Sequence, residues 1–171
     1  AWGDAALLTI LRALPVQRWT WDQAAQAGAA IEETYWRRAP VFWMSESSDD
    51  IIFAIRKLIS VGRARHALPL AERGSKATLP SEVLIEVLRE AARQPIQNEG
   101  DANEATMFQH YVAEILQLLD ERSDVDKDTL VALEWAYLPV LEYSRRPARV
   151  LLRALSEQPS LFIEMLSAVF K

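Results

Sequence analysis

Four arginines near the end of the chain have the clearest potential for ligand chemistry. Arg145, Arg149 and Arg153 recur every four residues and therefore share one face of a predicted helix, with Arg146 beside them. No acidic residue occurs over positions 144–156. Guanidinium groups beside the free backbone amides of a helix N-terminus can bind a phosphate or a carboxylate. This arginine cluster is therefore a candidate anion site.

Internal pairing is the alternative interpretation of the same arginines. Positive charge in the first turn of a helix opposes the helix dipole, so these residues need compensation from elsewhere. Glu134, Glu142 or the carboxylates of segment 120–128 could pair with them, while the arginine stems cover apolar surface. We favour pairing and keep the anion site as the second possibility.

A second basic stretch lies over positions 56–76, and segment 99–128 is its acidic counterpart. The acidic segment carries nine carboxylates against Arg122 and Lys127. If the basic stretches faced one side, they would form a basic groove despite the net charge of −5. Segregated charge favours an oriented partner or self-association, although most charge runs are solvated faces. Glu72 is the only acid within the basic stretch, whose members are Arg56, Lys57, Arg63, Arg65, His66, Arg73 and Lys76.

The first quarter of the chain is rich in tryptophan. Segment 35–44 alternates large rings with arginines, a composition typical of binding hot spots and of base-stacking platforms. The alternative is core packing, which we expect for Trp36, with one or two of the other rings partly exposed. Tyr35 and Trp43 are the ring residues predicted to contact a partner. Five of the six tryptophans lie in this region: Trp2, Trp19, Trp21, Trp36 and Trp43.

Catalytic patterns are missing from the sequence. His110 and Glu114 share a helical face, which is half of a metal-binding pair, but His66 is the only other histidine and cysteine is absent. None of the five glycines belongs to a glycine-rich phosphate loop. We therefore predict no catalytic residue, no metal, no cofactor and no enzymatic activity for this domain.

The composition is that of an ordinary folded domain. Of the 171 residues, 50% are apolar and 25% are charged, which argues against disorder. The negative net charge argues against a general nucleic-acid binder. No apolar run approaches the roughly 20 residues needed to cross a bilayer. We expect a cytoplasmic location and, because the chain enters a helical pattern directly after Ala1, a domain excised from a larger protein.

The apolar residues recur with helical spacing and predict eight or nine helices without strands. Short connections favour antiparallel neighbours, so we predict an all-α fold of stacked antiparallel hairpins, similar to an irregular α-solenoid. The one sizeable loop, 94–103, is a possible subdomain boundary within a single domain over 1–171. Pro139 should kink or end one helix. The predicted helices cover about residues 4–14, 20–38, 51–59, 63–73, 80–91, 102–119, 127–143, 147–157 and 159–170.

Two parts of the chain resemble known helical proteins. Segment 51–71 resembles a tetratricopeptide-type repeat without the signature Trp-Leu-Gly set, and Gly62 stands at the turn between its two helices. This resemblance implies a helical hairpin that presents a binding surface. Segment 133–162 is similar to helical segments of large, uncharacterised bacterial multidomain proteins and implies no activity. The packing positions of the repeat are Ile51, Ala54, Ile55, Leu58, Ala67, Leu68 and Ala71.

The favoured hypothesis is a helical-repeat-like interaction or scaffolding domain of a larger bacterial protein, which binds a protein segment or a sister domain. The alternative is an accessory domain that binds nucleic acid or a phosphate ligand through the arginine clusters, with an affinity that falls steeply with salt. The residues predicted to contact the partner are Arg56, Arg63, Arg145, Arg146, Arg149, Arg153, Tyr35 and Trp43.

Overall fold

The computed structural model describes residues 3–40, 47–75, 79–94, 102–142 and 146–158, together with positions 144, 160, 162, 163 and 167. All regular secondary structure in these residues is helical, which confirms the predicted all-α class. The chain divides into two compact units, Ala1–Ile96 (unit 1) and Gln97–Lys171 (unit 2). The division lies inside the 94–103 segment. Most of the predicted last helix, 159–170, lies outside the described residues.

Unit 1 contains six helices in its described part. The first three, α1, α2 and α3, contact one another, and α3 also contacts α4. The next three pack together in the same way, with α5 against both α4 and α6. Their buried faces consist mainly of leucine, isoleucine, valine and alanine. The helices are α1 (Asp4–Ala13), α2 (Arg18–Gln26), α3 (Ala29–Arg38), α4 (Ser48–Ser60), α5 (Ala64–Ser75) and α6 (Ser81–Ala92).

The single helix predicted over 20–38 is two helices in the structure. Gly28 has a φ of 114°, which an α-helix cannot contain and which L side chains rarely adopt, so α2 ends before it and α3 begins after it. Thr20 is not the N-cap that its capping-box spacing predicts. It lies inside α2, where its hydroxyl donates to the Pro15 carbonyl at 2.7 Å. The predicted end of the helix at Arg38, before Pro40, is confirmed.

Both ends of α4 follow the sequence pattern. The Ser47 hydroxyl accepts the Asp50 N–H at 3.4 Å and caps the N-terminus. At the other end Gly62 has a φ of 74°, and the Arg63 N–H donates to the Leu58 carbonyl at 2.8 Å. This is the hydrogen-bond pattern of a Schellman motif, which needs a left-handed residue at the position of Gly62. Gly62 thus lies in the turn between α4 and α5.

Residues 74–76 have the Gly-Ser-Lys composition of a turn, but Gly74 lies inside α5 and packs closely against its neighbours. The helix α5 continues through Ser75. A Cβ atom added at Gly74 would lie 2.6 Å from Leu79 Cδ1 and 3.0 Å from Ile51 Cγ2. The glycine is therefore required by the close approach of a leucine and an isoleucine to the last turn of α5.

Unit 2 contains four helices in its described part, and α8 contacts the other three. The apolar residues between them are almost fully buried, including Ile115, Leu116 and Leu133. Among the described helices of the chain, none has the length and apolar character needed to span a bilayer. The helices are α7 (Ala102–Asp120), α8 (Lys127–Ala136), α9 (Leu138–Leu141) and α10 (Arg149–Glu157).

A cap and a proline define the limits of α8. Asp126 Oδ1 accepts the Thr129 N–H at 2.8 Å, and Asp126 Oδ2 accepts the Thr129 hydroxyl at 2.7 Å. These hydrogen bonds lower the pKa of Asp126. The predicted helix over 127–143 breaks at Tyr137, and Pro139 lies in the first turn of α9, where its missing N–H is tolerated. The break predicted at Pro139 is therefore confirmed.

Candidate functional site

The aromatic residues of α2 and α3 form part of the core of unit 1. The Trp21 and Trp36 rings are 5.3 Å apart, and Trp36 meets Tyr35 edge to face at 5.5 Å. All three side chains have 0% exposure, so the core position predicted for Trp36 is confirmed. Burial raises the pKa of Tyr35, while its contact with Trp21 opposes this rise. The partner contact predicted for Tyr35 is wrong because no surface of its side chain is exposed.

Two other tryptophans bear on the predicted aromatic surface. Trp19, on α2, is 54% exposed, in line with the expectation that one or two rings reach solvent. Trp43, predicted to contact a partner, lies outside the described residues. The aromatic surface in the described part of unit 1 is therefore smaller than the composition indicates.

Two cations of unit 1 lie against the ring of Phe53, on α4. Arg18 Cζ is 4.1 Å and Lys57 Nζ is 5.5 Å from the ring centroid, within the range of cation–π attraction. Both cations are also paired with carboxylates. Arg18 Nε donates to Asp22 Oδ1 at 3.1 Å, and Lys57 Nζ lies 2.6 Å from Glu32 Oε1. Their charges are thus compensated within the unit.

Arg63 and Arg65 bond to the carbonyls at the ends of helices. Arg63 Nη1 donates to the Trp36 carbonyl at 2.7 Å and to the Ala39 carbonyl at 3.1 Å, where α3 ends without intrahelical donors. Partial burial lowers the pKa of Arg63. Arg65 Nη2 donates to the Gln94 carbonyl at 2.6 Å. The prediction that Arg63 contacts a partner is corrected, because its guanidinium group joins α3 to the start of α5.

Arg56 is the predicted site residue of unit 1 that stays accessible. It is exposed, and its side chain has no hydrogen bond or ion pair with the described residues. It lines an open cleft of about 470 Å³ together with Arg18 and Lys57, which are paired, and with Asp49. Among the described members of the second basic stretch, Lys57 is thus paired with a carboxylate, Arg63 and Arg65 bond to backbone carbonyls, and Arg56 is exposed. The basic groove that would join both basic stretches stays a prediction.

In unit 2 a buried ion pair connects α8 to the segment before α10. Glu134 is 0% exposed and Arg146 is 7% exposed. Glu134 Oε1 lies 2.6 Å from Arg146 Nη1, and Arg146 Nη2 lies 3.7 Å from Asp120 Oδ2. The other carboxylate oxygen, Glu134 Oε2, accepts the Leu151 N–H in the first turn of α10 at 2.7 Å. A carboxylate of the chain itself thus holds both the arginine and the helix N-terminus.

This arrangement is the pairing alternative of the sequence analysis. The partner contact predicted for Arg146 is wrong, because its guanidinium group is buried against Glu134. The helix N-terminus expected to bind an external anion already has an internal one. Arg145, the first member of the predicted arginine face, lies outside the described residues.

Arg149 and Arg153 are the predicted site residues of unit 2 that stay accessible. They lie one turn apart on α10, and both are exposed. Leu152 belongs to the same face and is 58% exposed, whereas the adjacent Leu151 is 1% exposed and packs inward. The exposed side of α10 therefore combines two cations with a large apolar side chain.

A groove lies beside this face, between α9 and α10. It has a volume of about 570 Å³ and is lined mostly by apolar side chains. Leu138, at the start of α9, is 38% exposed and lines it together with Leu152. Ser144 bends the connecting segment, because its hydroxyl lies 3.0 Å from the Leu141 carbonyl and accepts the Arg146 N–H at 3.2 Å. The other lining residues are Pro139, Leu141, Glu142, Pro147 and Ala148.

The sequence patterns did not indicate this groove. Glu134 was among the predicted partners of the arginines, but its hydrogen bond to the first turn of α10 was not predicted. One signal was present, because Leu152 is the i+3 neighbour of Arg149 and therefore puts an apolar side chain beside the predicted arginine face. No comparable signal singled out Glu134 from the other carboxylates.

The described residues offer no arrangement for metal chemistry. They contain no group of three or more His, Cys, Asp or Glu side chains that could hold a metal ion. His110 and Glu114, the half pair noted in the sequence, are both exposed on α7.

No protein-family model matches the sequence, and no curated protein or solved structure matches the chain significantly.

Proposed function

We propose that this chain is a protein-interaction or scaffolding domain, built from stacked helical hairpins, that binds a segment of a partner protein and has no catalytic activity of its own. The partner segment lies in the groove between α9 and α10. The observation that carries this proposal is the exposure of Leu138 and Leu152 at the walls of an apolar groove of about 570 Å³. Grooves of this kind, lined by apolar groups with a few polar ones at the rim, are typical binding sites.

The leucines supply part of the binding free energy and require further contacts. Leu152 is 58% exposed and Leu138 is 38% exposed, so together they leave about one leucine side chain uncovered. Complete burial of one leucine side chain contributes about 1.5–3 kcal/mol. A micromolar complex needs about 8 kcal/mol, so the rest of the groove and its charged rim must contribute as well.

Nucleic-acid or phosphate binding has less support from the geometry. Arg63 donates to backbone carbonyls, and Arg146 is buried against Glu134. Of the arginines assigned to that alternative, the described and accessible ones are Arg56, Arg149 and Arg153. Arg56 belongs to unit 1, whereas Arg149 and Arg153 belong to unit 2, so each unit supplies only part of a basic surface.

Site-specific photo-crosslinking tests the proposal. A photoreactive amino acid replaces Leu152 in one variant and Trp19, which has a similar exposure on α2, in the control variant. Each variant is irradiated in a lysate of the source cells that has been treated with nuclease and adjusted to high salt. We expect a discrete protein adduct from position 152 and none of the same mass from position 19.

The outcomes separate the two functions. An adduct at position 152 that persists in high salt and disappears in the Leu138→Ser background supports protein binding in the groove. Identical adducts from positions 152 and 19 would show adhesion without a specific site. In a parallel sample without nuclease, recovery of nucleic acid at low salt and its loss at high salt would favour the phosphate-binding alternative.

A further inference from the structure

We infer that the partner segment is an acidic amphipathic helix of another protein, an inference that rests on the proposed function. The groove is lined by the short helix α9, by residues 142, 144, 147 and 148 of the connecting segment, and by Leu152 of α10. An amphipathic helix laid into an apolar groove is an established mode of peptide recognition. A peptide that binds by adding a strand would instead need a free strand edge, and the described residues contain no strand.

The wall formed by α10 selects for acidic side chains. Arg149 is the i−3 neighbour of Leu152 on α10, and Arg153 follows Leu152 in the chain, so both lie beside the groove and not in its lining. Their side chains have no hydrogen bond or ion pair among the described residues. Glu157 follows Arg153 by one turn, but no ion pair joins these two described residues. A partner that covers Leu152 therefore places its flanking side chains against two uncompensated cations.

The opposite wall gives the partner an orientation. Glu142, at the end of α9, is exposed and lines the groove. A partner helix with carboxylates facing α10 and a lysine or arginine facing α9 matches the charges of both walls. The reversed arrangement would bring like charges together, which disfavours it.

The binding face is in position before the partner arrives. Glu134 fixes the first turn of α10 through Arg146 and the Leu151 N–H, and Leu151 itself is buried. The backbone that carries Leu152 and Arg153 is therefore ordered before the partner binds, and the conformational cost of binding falls mainly on the exposed side chains. The nine residues of α10 span about 13 Å, so a partner helix that runs alongside needs about nine residues, with apolar positions at i, i+3 or i+4, and i+7.

Selection from a displayed library of random peptides of about 12 residues, three helical turns, tests this inference on the full chain. Peptides retained by the wild type and lost on the Leu152→Ser variant should show apolar residues at helical spacing and an excess of Asp and Glu. The most enriched peptides are then synthesised with a fluorophore, and their Kd is measured by anisotropy at low and at high salt.

Charge variants at the two arginines supply the quantitative readout. We expect Arg149→Gln/Arg153→Gln to weaken binding about three- to tenfold at low salt, and Arg149→Glu/Arg153→Glu to weaken it further. Both effects should shrink at high salt, because exposed charges are screened. The variant Arg149→Gln/Arg153→Gln introduces no new negative charge near Glu134. It therefore keeps the test valid if Arg149→Glu/Arg153→Glu fails to fold. Arg56→Gln, an exposed arginine of unit 1, is the control and should leave the Kd unchanged.

Failure of this inference differs from failure of the proposed function. Leu152-dependent peptides without an acidic excess, or with a Kd insensitive to both arginine variants, would overturn the acidic helix while the groove remained a protein-binding site. Absence of any Leu152-dependent peptide would overturn the inference. If in addition position 152 crosslinked only to a second copy of the chain or to its own segment 159–171, the proposed function would also fail.

Discussion

Glu134 Oε2 accepts the backbone N–H of Leu151 at 2.7 Å, across 17 residues of chain and between two helices. The helix that begins there, α10, has no side-chain cap of its own and no acid in its first turn. A carboxylate from α8 therefore provides the hydrogen bond and the negative charge that the N-terminus requires. Arg146 balances that carboxylate from its other side.

Loss of Glu134 alone should destabilise unit 2 strongly. Glu134→Leu leaves the Arg146 guanidinium group buried without its carboxylate, and removal of one member of a buried ion pair costs about 3–5 kcal/mol. The double variant Glu134→Leu/Arg146→Met removes both charges, so we expect it to recover at least about 1 kcal/mol of that loss. Hydrogen exchange of peptides from α8 and α10 measures both values. If the stability lost in the double variant equalled the sum of the losses in Glu134→Leu and in Arg146→Met, that result would contradict the pairing.

Arg63 should matter for stability and Arg56 should not. Arg63→Met leaves the Trp36 and Ala39 carbonyls without their guanidinium donor, and unsatisfied buried groups of this kind cost about 1–3 kcal/mol. Arg56→Met removes an exposed side chain without described partners, so its effect should stay within about 0.5 kcal/mol. Urea unfolding followed by tryptophan fluorescence compares the two. If the two substitutions changed the free energy of unfolding equally, Arg63 would again be a candidate for contact with a partner.

Gly74→Ala should destabilise unit 1 although the residue lies in a helix. Alanine gains about 1 kcal/mol in helix propensity, but its Cβ would meet Leu79 and Ile51, and overpacking costs about 1–3 kcal/mol. The same substitution made in a Leu79→Ala background should be neutral or stabilising, since the nearest clashing atoms are gone. Thermal unfolding of the wild type, the two single variants and the double variant gives the coupling free energy between positions 74 and 79. A rise in Tm on Gly74→Ala alone would disprove the close contact.

The cap at Asp126 should contribute to stability in a pH-dependent way. Hydrogen bonds from Thr129 lower the pKa of Asp126 in the folded state below its ordinary value of 3.8. Its contribution is therefore complete above that ordinary value and is lost as the pH falls through the lower folded pKa. The Tm difference between the wild type and Asp126→Ala should be largest at neutral pH and should shrink in acid.

Ser47→Ala is the control for this pH dependence. Ser47 also caps a helix, but its hydroxyl does not titrate, so its Tm difference should persist in acid. An Asp126 effect that is equally large at neutral and acid pH would mean that the ionised carboxylate has no special part in the cap.

The helices themselves were largely predictable from the sequence, because caps, apolar spacing and breakers agree along most of the chain. In α4 the cap at Ser47, the apolar stripe and the turn at Gly62 all indicate the same limits. The division at Gly28 was not predictable in this way. Ala24 and Ile31 are both buried, so the apolar pattern runs across the break, and only the backbone dihedral of Gly28 reveals it.

The candidate site was less predictable than the helices. The exposed positions of Arg149 and Arg153 follow from their spacing on α10, and internal pairing of a neighbouring arginine was one of two open interpretations. The choice of Glu134 depends on its burial in α8, and the groove depends on the path of segment 142–148. Both are long-range properties that helical spacing does not encode.

The dependence of α10 on Glu134 has a consequence for the order of folding. A nine-residue helix without its own cap is too short to persist alone, so α10 forms only once α8 can receive it. The groove wall therefore exists only in the native unit 2, and a ligand held there binds the folded state but not the unfolded one. Ligand binding in the groove should raise the melting temperature and slow exchange of the Leu151 amide, and the free energy of opening obtained from that exchange should grow with the logarithm of ligand concentration.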